Sequence, residues 1–443
     1  MRFGLARLTT RTVNATSRRL GRGRGTVAGG RAGLKVDPRL LQHLSRGRSV
    51  ALVSGTNGKT TTTRLLTVAL GVGGEPVVSN ETGSNMPPGH VAALVAAARG
   101  TQAVLEVDEI YLPRVLAATH ATTVLLLNLS RDQLDRTNEV RMVAGRWRAA
   151  LAAAPHTVVV ANADDPLVAW GAGAAAQVLW VAAGSRWQLD AVGCPSCEGR
   201  IAFDGEGAWW CTADCGLTRP VPLATLDYPD TGGASDTGAA SDAGASPQDA
   251  STVTSRGAWA DGRTYDINLR LPGRFNHANA LMAAVAAEAC GIDAGEALAA
   301  MADVEHVAGR FTIREFGDVR ARLMLAKNPA GWSELLEMVA GDDGPVVVSI
   351  NARIADGADP SWLWDVPFER LGPRTVVATG DRFRDLSVRL QYAGVAHVAE
   401  ADPVTAVMLA ATTGDGTAPG ATDRTVDVIG NYTAFDDLLG ARP

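Results

Sequence analysis

The stretch Val50-Ala51-Leu52-Val53-Ser54-Gly55-Thr56-Asn57-Gly58-Lys59-Thr60-Thr61 decides the fold. The run Ser49–Ser54 is apolar without alternation, which suits a strand inside a parallel sheet. A glycine loop follows, and then Thr60–Leu70 has the length and composition of a helix, with Gly71 as its expected stop. Strand, glycine loop and helix N-terminus in that order make an anion cradle. Gly55 and Gly58 permit tight turns, backbone N–H groups converge, and the helix dipole faces them. A nucleoside triphosphate suits such a cradle. Residues Gly55, Thr56, Asn57, Gly58, Lys59, Thr60 and Thr61 are then the candidate contacts, with Lys59 neutralising β/γ-phosphate charge and Thr60 ligating Mg²⁺. The strict G-x₄-G-K-[ST] pattern has glycine where Val53 stands, so the match is incomplete. A Gly/Thr-rich turn with a solvated lysine is the plainer alternative.

Outward from the loop, apolar runs bounded by turn residues recur at Ala103–Val107, Thr122–Leu129 and Thr157–Val160, with Ala/Leu-rich segments of helical length between them. Strands alternating with helices read as an α/β unit whose parallel sheet is covered on both faces. A helical pattern returns at Asn276–Cys290 and should stop at Gly291. After about residue 310 a second series begins, with strands expected at Ala321–Ala326, Pro345–Ile350, Thr375–Thr379 and Val426–Ile429. The expected organisation is a basic segment 1–45, an ATPase-type unit 46–308 and a Rossmann-like α/β unit 309–443.

Composition bounds the rest. The 443 residues are 46% hydrophobic and 20% charged, enough for more than one core, which excludes a wholly disordered chain. No apolar run reaches the ~18 residues of a membrane-spanning helix. The net charge of −6, from 41 basic and 47 acidic side chains, argues against a broad nucleic-acid surface. Lysine occurs only at Lys35, Lys59 and Lys327, so a lysine inside a motif invites a chemical reason. Residues 1–32 are Arg-rich and contain no acid. That composition reads either as an organelle transit peptide or as a basic helix followed by a flexible Gly/Arg segment, lying on a protein or an anionic membrane face. No apolar secretory core follows, which favours the second. Asp227–Arg256, dominated by Gly, Ala, Ser, Asp and Thr, is expected to be a disordered surface insertion. The seven histidines show no metal-ligand spacing and are assigned no role.

Four of the five cysteines fall together. Cys194-Pro-Ser-Cys197, thirteen residues, then Cys211-Thr-Ala-Asp-Cys215 pairs two knuckles at the spacing of a tetrahedral Zn²⁺ ribbon, here inserted over 191–222. Trp209 and Trp210 are expected to cover the metal. Buried thiols or disulfides are the other reading. Glu198, Asp204, Glu206 and Asp214 leave little positive field for phosphates, so a structural role is expected.

With these motifs in hand, the chain resembles the Mur ligase family. Gly55–Thr61 matches its GTNGKTT loop. Ala103-Val-Leu-Glu-Val-Asp-Glu109 ends a strand with three carboxylates, and the resemblance implies Glu106 as a Mg²⁺ ligand, with Asp108 and Glu109 nearby. Asn128-Leu-Ser-Arg-Asp-Gln-Leu-Asp135 is similar to the family's N-x-x-x-D-H-L-D, but Gln133 replaces the histidine, a poor exchange for a metal ligand. Gly273-Arg-Phe-Asn-His-Ala-Asn279 resembles the adenine-reading motif and implies Asn276, with Asn279 as packing support; a plain helix cap is the alternative. Gly309-Arg310-Phe implies Arg310 as a phosphate contact across the unit junction.

The departures narrow the resemblance. The precursor-binding domain that amino-acid-adding Mur ligases carry before the loop is absent from the residues preceding Gly55. Leu325-Ala-Lys-Asn-Pro-Ala-Gly331, the D-G-x-D…W-x-W-D stretch within 351–365 and Gly430-Asn-Tyr-Thr-Ala434 resemble the amidating branch, the synthetase subunits of lipid II isoglutaminyl synthase. That implies ATP-dependent amidation of the α-carboxylate of D-glutamate in the lipid II stem peptide, through an acyl phosphate, on the cytoplasmic side with at most peripheral membrane contact. Ammonia needs an activated cysteine to release it from glutamine. Four cysteines read as zinc ligands and Cys290 as core packing, so a partner is required, in this branch a GatD-type class I glutamine amidotransferase. An aspartate of the synthetase is thought to complete the partner's triad; Asp356 stands first by position, then Asp359 and Asp365. Lys327 is a candidate for substrate or phosphate. The alternative is a stand-alone ligase of the amino-acid-adding or folylpolyglutamate type.

Overall fold

The structure, a computed structural model, describes residues 2–19, 26–80, 84–97, 100–131, 140–184, 187–205, 207–228, 255–305, 307, 310–340, 344–372, 374, 376–413 and 424–441. Gln133, Gly309 and residues 229–254 of the low-complexity stretch lie outside the described residues.

The first sheet comprises β1 (Ser49–Ser54), β2 (Val77–Ser79), β3 (Gln102–Glu106), β4 (Thr123–Leu126), β5 (Val158–Asn162) and β6 (Gln177–Ala182). After a separate hairpin of β7 (Ile201–Phe203) and β8 (Trp209–Cys211) come β9 (Ala224–Asp227), β10 (Ser255–Trp259) and β11 (Thr264–Ile267). Their order is β11-β10-β9-β6-β5-β4-β1-β3-β2. Strands β1 to β6 and β9 run parallel, while β9, β10 and β11 form an antiparallel meander at one edge. Val50 and Leu52 enter the core on one face of β1 while Ala51 and Val53 enter the core on the other. Both faces are buried, which is why the run shows no polar alternation. The chain proceeds from β1 to β2 and β3 on one side, then crosses to β4, β5 and β6 on the other. The order therefore reverses at β1, and a crevice opens at its C-terminal end, where the glycine loop sits.

One expectation changes here. β4 stops at Leu126 instead of Leu129, because the following residues leave the sheet to bond the glycine loop. The helix Lys59–Leu70 ends at Leu70 with Gly71 as its C-cap, as expected, and a separate tight turn Gly71–Gly73 follows before Gly74, φ 77°. Gly291 at φ 92° likewise follows the helix Arg274–Ala289 as expected.

The basic helix expected at the N-terminus is present as Arg2–Arg19, whereas the Gly/Arg segment expected to be flexible is helical over Thr26–Val36. Helices Arg2–Arg19, Thr26–Val36 and Leu40–Ser45 pack on one another and on the helix Pro87–Ala96. Its glycines are contact points: a Cβ at Gly29 would lie 2.0 Å from Asn14 Oδ1, and one at Gly30 1.8 Å from Pro88 O. Described residues on either side of the low-complexity stretch pair as a hairpin, Arg256 opposite Asp227.

The second sheet holds β12 (Phe311–Phe316), β13 (Val319–Leu325), β14 (Val346–Ser349), β15 (Val376–Thr379), β16 (His397–Ala399) and β17 (Arg424–Gly430), in the order β12-β13-β17-β14-β15-β16. All are parallel except β12, which turns back on β13 at the edge. No helix among the described residues is long and apolar enough to cross a membrane.

Candidate active site and metal centre

The glycine loop is held from outside by the segment after β4. Thr56 N donates to Asn128 O at 3.0 Å, Asn57 N donates to Asn128 Oδ1 at 2.8 Å, and Asn128 Nδ2 donates back to Asn57 O at 3.1 Å. Gly58 has φ 82°, and a Cβ there would lie 2.6 Å from Asn279 Oδ1. Only glycine fits both the angle and the approach. Asn279 is thus a packing partner of the loop. The helix Lys59–Leu70 begins with no side-chain cap, so N–H groups of its first turn stay open to an anion.

Lys59 is buried. Its Nζ donates to Gly55 O, to Thr56 O at 3.0 Å and to Glu109 Oε2 at 3.0 Å. A buried ammonium needs such partners. The three carboxylates at the end of β3 therefore divide their roles: Glu109 pairs with Lys59, Asp108 Oδ1 accepts from Ile110 N at 3.1 Å, and Glu106 lies level with Val53 at the loop entrance. The backbone of Glu106 is clamped. Asn80 Oδ1 accepts from its N–H at 2.8 Å, while Asn80 Nδ2 and His90 Nε2 meet its carbonyl at 2.9 and 2.8 Å. Burial pushes His90 down to about 4, so the imidazole is neutral at pH 7 and its Nε2–H donates to that carbonyl. Neither Asn80 nor His90 is marked as functional by the sequence, since both act across long separations.

A cavity of about 680 Å³ opens beside the loop. Asn57, Gly58, Thr60 and Thr61 line it from the first unit, Asn276 from the helix Arg274–Ala289, and Arg310 from the start of the second unit. Asn276 sits in the first turn of its helix, whose cap position is Gly273 at φ 92°, so it is not the capping residue; its Nδ2 donates to Pro272 O at 2.6 Å. Asp165 also lines the cavity. It accepts from Leu129 N, Leu167 N and Val168 N at 2.8, 2.9 and 3.0 Å, and burial raises its carboxyl to about 6. The Asp165-Pro166 pair is a helix-start signature that the sequence did offer. The cradle, the open helix start and the cavity size fit a nucleotide triphosphate. The hydroxyl of Thr60 and the carboxylate of Glu106 are hard oxygen donors of the kind Mg²⁺ takes.

The second unit reaches the loop directly. Asn57 Nδ2 donates to Asn328 Oδ1 at 3.1 Å and Asn328 Nδ2 donates to Asn57 Oδ1 at 3.2 Å, a reciprocal amide pair between the two sheets' loops. Lys327 next to it turns toward the helix Tyr432–Gly440, its Nζ 5.2 Å from the Tyr432 ring centre. Asp356 is buried against the start of the same helix: Oδ1 accepts from Thr433 N at 2.9 Å, and Oδ2 from the Thr433 hydroxyl and from Arg353 N at 3.2 Å. Asp359 is exposed, held below the usual carboxylate range by donors from Ser361. Asp365 lies 3.6 Å from Arg131 of the first unit. Ile354, Trp364 and Tyr392 are exposed on this side, with Trp364 and Tyr392 edge to face.

The four cysteines Cys194, Cys197, Cys211 and Cys215 place their Sγ atoms within 4.8 Å of one another. Cys197 and Cys211 are 3.4 Å apart, Cys194 and Cys215 3.6 Å. Zn–S bonds of about 2.3 Å give a tetrahedron with edges near these values, whereas disulfides need about 2.05 Å. The donors fit zinc. Glu198 and Asp214 adopt φ of 66° and 51°, the left-handed turns of the two knuckles. Of the two tryptophans expected to cover the metal, Trp210 is exposed instead. Trp209 does pack in one buried cluster with Cys194 and Cys211, as expected, and its Nε1 donates to Ala163 O at 2.9 Å, anchoring the ribbon two residues from Asp165. Cys290 is half-buried, with burial pushing its thiol up, so it is no activated nucleophile.

Residues 53–187 match the Mur ligase middle domain and residues 325–435 the MurT ligase C-terminal domain. The chain is 29% identical over 397 residues to the lipid II isoglutaminyl synthase (glutamine-hydrolyzing) subunit MurT of Streptococcus pneumoniae, covering 84% of this chain and 83% of that one. It is 26% identical to the subunit of the same name from Staphylococcus aureus, covering 86% and 85%. Among solved structures, MurF from Acinetobacter baumannii superposes with a TM-score of 0.63 at 15% identity over 93% of this chain and 81% of that one. Folylpolyglutamate synthase from Mycobacterium tuberculosis gives 0.58 at 16% identity over 98% and 100%. At those identities the structures establish the fold, α/β with parallel sheets as in the Mur ligases. The chain thus carries a Mur ligase middle domain that holds the phosphate loop and a MurT-type C-terminal domain closing on it, and over most of its length it is similar to MurT subunits.

Proposed function

We propose that this chain is the synthetase subunit of a lipid II isoglutaminyl synthase, converting the α-carboxylate of D-glutamate in the stem peptide to an amide with ATP. The observation that carries this reading is the junction of Asn57 and Asn328, where the phosphate loop and the MurT-type domain enclose one cleft. Residues 46–308 and 309–443 are taken as the two working units.

A carboxylate does not acylate ammonia at neutral pH, because oxide would have to leave. In the proposed sequence a carboxylate oxygen attacks the γ-phosphorus, the bond from phosphorus to the ADP oxygen breaks, and an acyl phosphate forms. Ammonia then attacks the carbonyl carbon, phosphate leaves with the former carboxylate oxygen, and a proton is released. Lys59 and the backbone N–H groups around Gly58 stabilise charge on the transferring group. Gly55, Thr56 and Thr61 shape the loop, Asn276 contacts the base, Arg310 contacts phosphate, and Lys327 approaches phosphate or substrate. Bound Mg²⁺, held by Thr60 and Glu106, supplies Lewis-acid neutralisation of the phosphoryl oxygens. Zn²⁺ on the four cysteines is structural.

Ammonia comes from a GatD-type glutaminase partner, since Cys290 is not activated. The exposed Ile354, Trp364 and Tyr392 beside the D-G-x-D turn offer that partner an apolar face. Asp356 is the proposed aspartate for its triad, with Asp359 and Asp365 as the other acids of the same stretch. The chain works on the cytoplasmic side of the membrane.

The test is to co-express the chain with a GatD-type subunit, supply ATP, glutamine and lipid II, and read a mass decrease of about one dalton as acid becomes amide. Asp356→Asn should abolish glutamine-driven amidation while ammonium salts still support it. Equal loss with both nitrogen sources removes Asp356 from the triad. ATP hydrolysis driven by free amino acids, with glutamine ignored, would favour the stand-alone ligase.

A further inference from the structure

We propose that the three N-terminal helices form a docking surface for an anionic lipid bilayer, which deepens the reading of a lipid-linked substrate and rests on it. Residues 1–48 hold twelve basic side chains and one acid, Asp37, although the whole chain is net negative. Asp37 is buried and engaged with His43 at 2.9 Å. Arg2, Arg11, Arg18, Arg19, Arg31, Lys35, Arg39 and Arg46 are all exposed. The helices packed against this group, Pro87–Ala96 and Leu112–Thr119, contain no acid and add the exposed Arg114.

The helix Arg2–Arg19 also has two faces. Ala6 and Thr10 are buried on one side. At 100° per residue, Leu5, Leu8, Thr12 and Arg19 fall in the opposite arc, with Arg2, Arg11 and Arg18 on its borders. Leu5 and Leu8 are 57% and 62% exposed. Apolar side chains ringed by arginine match a headgroup–acyl boundary, where charge supplies attraction and leucine supplies insertion. A nucleic acid would use the charge but leave both leucines in water.

The position suits the reaction. Helix Thr26–Val36 packs on Pro87–Ala96, whose His90 holds the carbonyl of Glu106 at the loop entrance. A membrane under the helices would therefore lie on the Glu106 side of the phosphate loop.

The test floats the full-length chain with vesicles of phosphatidylcholine alone, or with a third of the lipid replaced by phosphatidylglycerol. Binding should require phosphatidylglycerol and weaken with salt. It should fall at least about tenfold in the quadruple variant Arg2→Gln, Arg11→Gln, Arg18→Gln, Arg19→Gln, and drop in Leu5→Ser with Leu8→Ser. These positions are exposed, so an unchanged Tm is expected as the control on folding. Equal binding to neutral vesicles, unaltered binding by the variants, or arginine-dependent binding to RNA without lipid binding would overturn the proposal. Ammonia-driven amidation of a water-soluble, short-tailed substrate separates the two readings: its failure with vesicle binding intact sinks the enzymatic proposal alone, and its success without vesicle binding sinks the docking surface alone.

Discussion

Lys59 Nζ donates to two loop carbonyls and to Glu109, so a phosphate on the loop would share the ammonium with Glu109. Removing that charge should cost transition-state stabilisation: Lys59→Ala is expected to lower the amidation rate by about 10³-fold, read from initial rates with saturating substrate. A residual rate near wild type would contradict the assignment. His90 gives a pH signature. Its folded-state value of about 4 lies below the ordinary 6.5, so between these the unfolded chain binds the proton that the buried ring refuses. Stability from this group is complete above 6.5 and is lost as pH falls toward 4, on the order of 3 kcal/mol in all. His90→Gln keeps a donor for Glu106 O and should flatten the pH dependence of the urea midpoint in that window. Gly55, Gly58 and Lys59 were legible in the sequence because the demands on them are local. The split of roles between Glu106 and Glu109 was not, because it depends on a lysine fifty residues away.

Among elements, the ribbon and the amide pair make separate demands. The ribbon was legible from spacing alone, since four thiolates on two knuckles have few other uses. That Trp209 alone covers the cysteines while Trp210 is exposed was not, because the bond of Trp209 to Ala163 in a different element decides which of the two turns inward. The purified protein should carry about one zinc, and Cys197→Ser should reduce that content and lower Tm, measured by metal analysis and melting. Full zinc content in the variant would exclude the ribbon as the site. Asn328→Ala removes two interunit hydrogen bonds worth about 1 kcal/mol each at most. Its expected effect is a rise in the KM for ATP of up to about tenfold with zinc content unchanged; an unchanged KM would make the pair incidental. β6 and the β9–β11 meander escaped the sequence reading, since their pairing depends on partners that context supplies rather than on a strong local signal.

At the scale of the molecule, the α/β class and the order of the two units were readable because buried parallel strands are continuous apolar runs. The N-terminal helices were half-readable: charge marked them as basic, but glycine suggested flexibility where it serves close helix contact at Gly29 and Gly30. In the proposed reading, the ATP-type cleft, a face for a nitrogen-supplying partner and the basic cap serve one acceptor. All three depend on a carboxylate being activated by phosphoryl transfer. The most direct measurement supplies a stem-peptide substrate whose D-glutamate α-carboxylate carries oxygen-18, runs the amidation with ATP and ammonia, and weighs the phosphate released. Phosphate carrying a labelled oxygen is the expected result. Amide formation with unlabelled phosphate would mean that no acyl phosphate forms in this cleft.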